Sequence, residues 1–113
     1  MPRKIVTNPP ARQLSKERLE EMIEEATVDC HDESEQITGW FTTFENNLVT
    51  PFETSVFGVP VVVESVDLTE REQIVAICSR GDARQSIAIL DLPLTDPPPE
   101  GWEWIEAYRL WSR

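Results

Sequence analysis

Pro51-Phe52-Glu53-Thr54-Ser55-Val56-Phe57-Gly58-Val59-Pro60-Val61-Val62-Val63-Glu64-Ser65-Val66 is the stretch in which the hydrophobic pattern of this chain changes period. Before it, apolar residues recur at every third or fourth position. From it onward they come in short runs rich in Val, Ile and Phe, as residues suited to a pleated, half-buried surface do. The runs Phe52 to Phe57, Val59 to Val66, Gln73 to Ser79 and Gln85 to Leu90 predict four short antiparallel strands, punctuated by Gly58, Gly81 and acidic turns. The last two are expected to join through a hairpin at Arg80-Gly81-Asp82-Ala83-Arg84.

Upstream, Leu19, Met22, Ile23 and Ala26 follow i, i+3, i+4, i+7 spacing and predict a helix over about 16–28, with Ser15 as its N-cap. Ile37, Trp40, Phe41, Phe44 and Leu48 repeat that spacing and predict a helix over about 33–48. Asp32, with Glu35 three residues on, fits a capping box opening this second helix. Ala26 and Ile37 are eleven residues apart, close to a whole number of turns, so one long bent helix is the alternative. Downstream, Pro97-Pro98-Pro99 marks a stiff extended connector. Trp104, Tyr108 and Trp111, with Ile105, then predict a short helix that lays its aromatic side chains on the sheet. The expected fold class is α+β: an N-terminal helix or helix pair, a small antiparallel β-sheet or partly closed SH3-like barrel, and a short C-terminal helix. Residues 1–14 are expected to be a mobile basic tail, and 15–113 a single acidic domain.

The 113 residues hold 21 Asp+Glu against 10 Lys+Arg, a formal net charge of −11. Such a chain disfavours a nucleic-acid or anionic membrane partner, since it has little to offer a phosphate backbone or headgroup. Met1 to Pro10 has basic residues but no apolar run behind them, so no signal peptide is expected. Two cysteines, Cys30 and Cys78, do not make a disulfide framework, and a cytoplasmic location is expected. The charge is also arranged in blocks. Residues 1–18 contain five of the ten basic residues, whereas Leu19 to Glu70 contains thirteen acids and no Lys or Arg. Carboxylates in such a block lack local partners, so their self-repulsion is relieved by a bound cation or left to solvent.

The densest part of the block is Asp29-Cys30-His31-Asp32-Glu33-Ser34-Glu35, at the joint between the two predicted helices. Hard divalent cations take oxygen ligands from carboxylates, free main-chain carbonyls and water, so Asp29, Asp32, Glu33 and Glu35 are the candidate metal ligands. Were the helix continuous, Glu25, Asp29, Asp32 and Glu33 would share one face. Helix capping and favourable interaction with the helix dipole explain the same acids without a metal. No EF-hand loop occurs, and no glycine lies between Leu19 and Thr38. Cys30 and His31 are adjacent, unlike the spaced pairs of zinc sites; Cys30, in phase with the apolar stripe, and Cys78 are expected in the core. His31 has no neighbouring nucleophile, no G-x-S-x-G is present, and Arg80-Gly81-Asp82 reads as a hairpin tip, so no enzyme is expected.

Longer segments resemble a known family. Glu24-Glu25-Ala26-Thr27-Val28-Asp29, Thr38-Gly39-Trp40, Glu45-Asn46-Asn47-Leu48 and Pro51-Phe52-Glu53 are similar to segments of the CcbP-like cyanobacterial and bacterial calcium-binding proteins. So are Gly58-Val59-Pro60-Val61, Ile74-Val75-Ala76-Ile77-Cys78-Ser79-Arg80-Gly81 and Ile89-Leu90-Asp91-Leu92-Pro93-Leu94. Pro98-Pro99-Glu100-Gly101-Trp102-Glu103-Trp104-Ile105-Glu106-Ala107-Tyr108-Arg109 continues the likeness, which covers about residues 16–111. The resemblance implies a small acidic cytoplasmic protein that binds Ca2+ through surface carboxylates without EF-hands and acts as a calcium buffer. It implies ligands in the segment holding Asp29, Asp32, Glu33 and Glu35, with Glu53, Glu64, Asp67 and Glu70 as candidates for a second, weaker site. The competing expectation is an acidic protein-interaction module without a specific metal site. The only methionines are Met1 and Met22, so no Met-rich switch groove is expected and a buffer is favoured over a sensor.

Overall fold

The structure, a computed structural model, describes residues 4–6 and 14–113. Two helices open it. In α1 (Lys16–Ala26), the Arg18 N–H donates to the Ser15 Oγ at 3.0 Å, which satisfies one of the first-turn donors. Beyond Thr27 the chain reverses: Asp29 takes φ +58°, a left-handed conformation that ends a helix. A second helix, α2 (Glu33–Asn47), starts on Asp32, whose Oδ1 accepts from the Glu35 N–H at 2.8 Å. The continuous-helix alternative is therefore excluded, and the acidic segment lies in a tight link between two helices.

Four strands follow as an antiparallel meander: β2 (Phe52–Val56), β3 (Val59–Leu68), β4 (Ile74–Arg80) and β5 (Ala83–Ala88), in spatial order β2-β3-β4-β5. Phe57 (φ +50°) and Gly58 (φ +77°) make a two-residue hairpin turn of the kind that needs two positive φ values. The β4–β5 hairpin is tighter than expected. Arg80 pairs directly with Ala83, so only Gly81 and Asp82 lie in the turn. The register of β3 on β4 shifts between Val63 and Ser65, a bulge at Glu64.

Two expectations need correction here. The sheet is open: β2 and β5 are its two edges, and no ladder joins them into a partly closed barrel. The aromatic residues of the C-terminal helix α3 (Glu103–Trp111) do not lie on the sheet. They pack on α2, with ring centroids 5.3 Å (Tyr108), 5.9 Å (Trp111) and 6.5 Å (Trp104) from the Trp40 ring. Helix α2 contacts both α3 and β3, and α3 packs against α1 as well. Trp40 and Phe44, both completely buried, carry the α2 side of that packing: the Trp40 ring meets Trp104, Tyr108 and Trp111, and the Phe44 ring meets Tyr108. Among the described residues, Trp40 Nε1 has no hydrogen-bond partner although it is buried, which costs the desolvation of that N–H.

After a 3-10 turn at Ile89–Asp91, the short strand β6 (Leu94–Asp96) pairs antiparallel with β1 (Lys4–Val6). Part of the segment expected to be a tail thus supplies a strand; the rest of 1–13 lies outside the described residues. The core runs from Met22 and Ala26 through Trp40 and Phe44 to Val63, Ala76 and Cys78 on the sheet, closed by Leu94 and Ile105. No described helix is long and apolar enough to cross a membrane.

Candidate functional site

Close packing holds the two helices that present the acidic link. A Cβ on Gly39 of α2 would come well inside contact distance of the Ala26 carbonyl oxygen and 3.3 Å from Cys30 Sγ. Only glycine lets the backbones approach this closely. The approach explains the helix break: the last turn of α1 rests against the second turn of α2, and the residues between must reverse direction. Cys30 is consequently half-exposed rather than in the core, where the in-phase stripe placed it. Its N–H donates to Thr27 O at 3.1 Å and its thiol to Val28 O at 3.4 Å. Cys78, by contrast, is buried as expected, and burial pushes its thiol pKa up.

All four sequence-predicted ligands are exposed, and their roles differ. Asp29 occupies the left-handed position of the link. Asp32 caps α2, so one of its oxygens is already engaged. The Glu35 Oε2 accepts the His31 N–H at 3.4 Å, one residue beyond the reach of a standard capping box, while Glu33 projects from the first turn. A residue that sequence reasoning missed joins them. The Ser34 hydroxyl donates to Glu72, which sits at φ +60° in the β3–β4 turn. Glu72 lies 38 residues from Ser34 and just past Arg71, outside the cation-free block, so nothing in the local pattern marked it.

A shallow groove of about 520 Å3 runs between α1 and α2 beside the link. Glu25 and Glu35 line it from opposite helices, together with Ser34, Thr38 and Thr42, while Ala26, Val28 and Cys30 make much of the wall apolar. Sequence reasoning put Glu25 with the cluster only for an unbroken helix; the break brings it to the same groove by another route. The described ion pairs are Arg18 with Glu21 and Glu25, Arg84 with Glu64, and Arg109 with Glu106. Among the described residues, Asp29, Asp32, Glu33 and Glu35 therefore have no cationic partner.

Their convergence is limited. Among the described residues, no three His, Cys, Asp or Glu side chains come together in a group that could hold a metal ion. A calcium ion asks for about six to eight oxygens, so the joint is not a preformed cage; these exposed side chains have to swing inward to enclose an ion. Zinc ligation by Cys30, His31 and Cys78 has no geometric support for the same reason. The acids considered for a second site are dispersed. Glu53 is on β2, Glu64 on β3 is 3.1 Å from the Arg84 guanidinium, Asp67 accepts the Leu68 N–H, and Glu70 is in the β3–β4 turn. A hydrogen bond from Ser79, helped by Arg84 and opposed by partial desolvation, holds the Glu64 carboxyl below the usual glutamate range. Comparison of the chain with models of protein families, with curated proteins and with solved structures found no match.

Proposed function

We propose that this chain is a non-EF-hand calcium-binding protein that acts as a cytoplasmic buffer rather than an enzyme, taking up Ca2+ at the α1–α2 link. The observation that carries the reading is electrostatic. Four exposed carboxylates, Asp29, Asp32, Glu33 and Glu35, lie within seven residues and have no cationic partner among the described residues. A bound cation relieves their mutual repulsion, and the resemblance to CcbP-like proteins points to calcium. An open arrangement that must close around the ion supports weak uptake rather than a tight preformed cage, and the lack of a Met-rich groove favours a buffer over a switch. Asp32 keeps an oxygen free beyond its cap, and Glu25 across the groove from Glu35 and Glu72 beside Ser34 are further carboxylates at the link.

One observation favours a second reading, an acidic face that docks a basic protein. Val28 is 64% exposed in the midst of Glu24, Glu25 and Asp29, an apolar residue set among acids with no preformed metal group nearby. Calorimetric titration of chelator-stripped protein with CaCl2, and separately with MgCl2, in about 0.15 M KCl distinguishes the two, because that salt screens loose counterion attraction. Saturable heat with calcium preferred supports the buffer. No heat, or equal weak binding of both ions, leaves only the acidic docking face.

A further inference from the structure

The sheet face that forms half of the core continues past the cover of the helices. On β3 the same-face residues run Val63, Val61, Val59, and their exposure rises from 0% at Val63, through partial exposure at Val61, to 42% at Val59. At the end of this progression Phe57 is fully exposed, although its φ of +50° is one that a phenylalanine adopts rarely. Within the fold the ring contributes nothing to offset either cost. Beside it lies a groove of about 320 Å3, lined by Val56, Val59, Val61, Ile87, Arg80 and Arg84 among others. A projecting aromatic ring and a groove thus adjoin on one face.

We propose that a second copy of this chain docks here about a two-fold axis, each Phe57 ring seated in the other copy's groove over Val59, Val61 and Ile87. A two-fold interface must be self-complementary, and a ring beside a groove meets that requirement with one patch. The charge pattern favours the same occupant. The chain as a whole carries −11, so copies repel. The β4–β5 tip at this end holds both signs, Arg80 and Arg84 with Asp82, and Arg84 is already paired with Glu64. Two copies meeting here bring opposite charges together, away from the cation-free helical acids. The inference is independent of calcium.

Sedimentation of the full chain from about 1 µM to about 1 mM tests it, a range that captures micromolar affinities. The wild type is expected to shift from monomer to dimer as concentration rises. Phe57→Asn keeps the turn, since Asn before Gly58 suits two positive φ values, and is expected to weaken association at least tenfold without lowering Tm. Val59→Thr tests the groove independently and is expected to weaken association too. A wild type that stays monomeric throughout, or variants that associate as well as the wild type, would overturn the proposal.

Discussion

Replacing Gly39 with alanine sets two effects of opposite sign against each other. Gly39 is inside α2, where exchanging glycine for alanine ordinarily stabilises a helix by about 1 kcal/mol. Here the added Cβ meets a main-chain atom, the Ala26 carbonyl oxygen, with Cys30 Sγ 3.3 Å away. A flexible side chain could swing aside, but a backbone carbonyl moves only if the end of α1 moves with it. That displacement disturbs the packing of Met22 and Ala26, both in the core. Overpacking of this kind costs about 1–3 kcal/mol, and a contact with backbone belongs at the upper end. The expected net loss is about 1–2 kcal/mol. For a chain of this size it lowers Tm by roughly 4–10 °C, at about 4–8 °C per kcal/mol for somewhat smaller domains and less for larger ones. Thermal unfolding of calcium-free protein by circular dichroism reads this directly. Because the same contact sets the spacing of the groove between Glu25 and Glu35, calcium affinity should fall as well. A Gly39→Ala variant that melts above the wild type would refute the close-approach account, since helix propensity alone would then decide the outcome.

Further outcomes follow from the same contacts. Asp32→Asn with Glu33→Gln should leave the calcium-free Tm nearly unchanged, because Asn caps as well as Asp, yet weaken calcium binding about tenfold; Asp32→Ala alone should cost about 1 kcal/mol in a urea melt. With a thiol-specific chromogenic reagent, native protein should show one reactive cysteine, Cys30, and expose Cys78 only on unfolding, since Cys78 is buried and its thiol pKa is raised. Glu64 has a lowered folded-state pKa, so its contribution is complete above the ordinary glutamate value of 4.5 and is lost as pH falls through the lower folded value. Glu64→Gln should therefore flatten stability against pH only at the acid end of the profile, and a change confined to neutral pH would contradict the assignment.

The local features of the fold were legible because their causes are local. Ser15 and Asp32 announce helix starts by supplying a side-chain acceptor where backbone N–H groups have none, and the apolar spacing from Leu19 to Ala26 needs only a helix period to be read. Gly58 and Gly81 marked strand ends for the same kind of reason, and the hairpin expected over Arg80 to Arg84 was found with a shorter turn. What escaped depended on which distant partner an element meets. The aromatic stripe of α3 predicts a buried face but not whether Trp40 or the sheet covers it. Barrel closure requires the edges β2 and β5 to pair, and nothing within either strand encodes that. The pairing of β1 with β6 joins two three-residue strands about ninety residues apart, too short to carry a period of their own. The helix break was undecided because Ala26 and Ile37 are in phase either way; the close approach at Gly39 is the physical reason for the break. At the candidate site the acids were evident from charge alone. Their degree of convergence was not, because exposed carboxylates follow no packing period, and Glu72 arrives from another turn.

Calcium gathered at the α1–α2 link, as proposed, differs from calcium spread over an acidic surface in which residues sense the ion. Heteronuclear NMR of the backbone amides during a calcium titration tests it most directly, with magnesium as the parallel series. Binding at the link is expected to give saturable shifts concentrated in residues 29–35 and the turn around Glu72, described by a single Kd and much smaller with magnesium. Shifts distributed along the acids of α1 and the sheet, of equal size for both ions and without saturation, would contradict it.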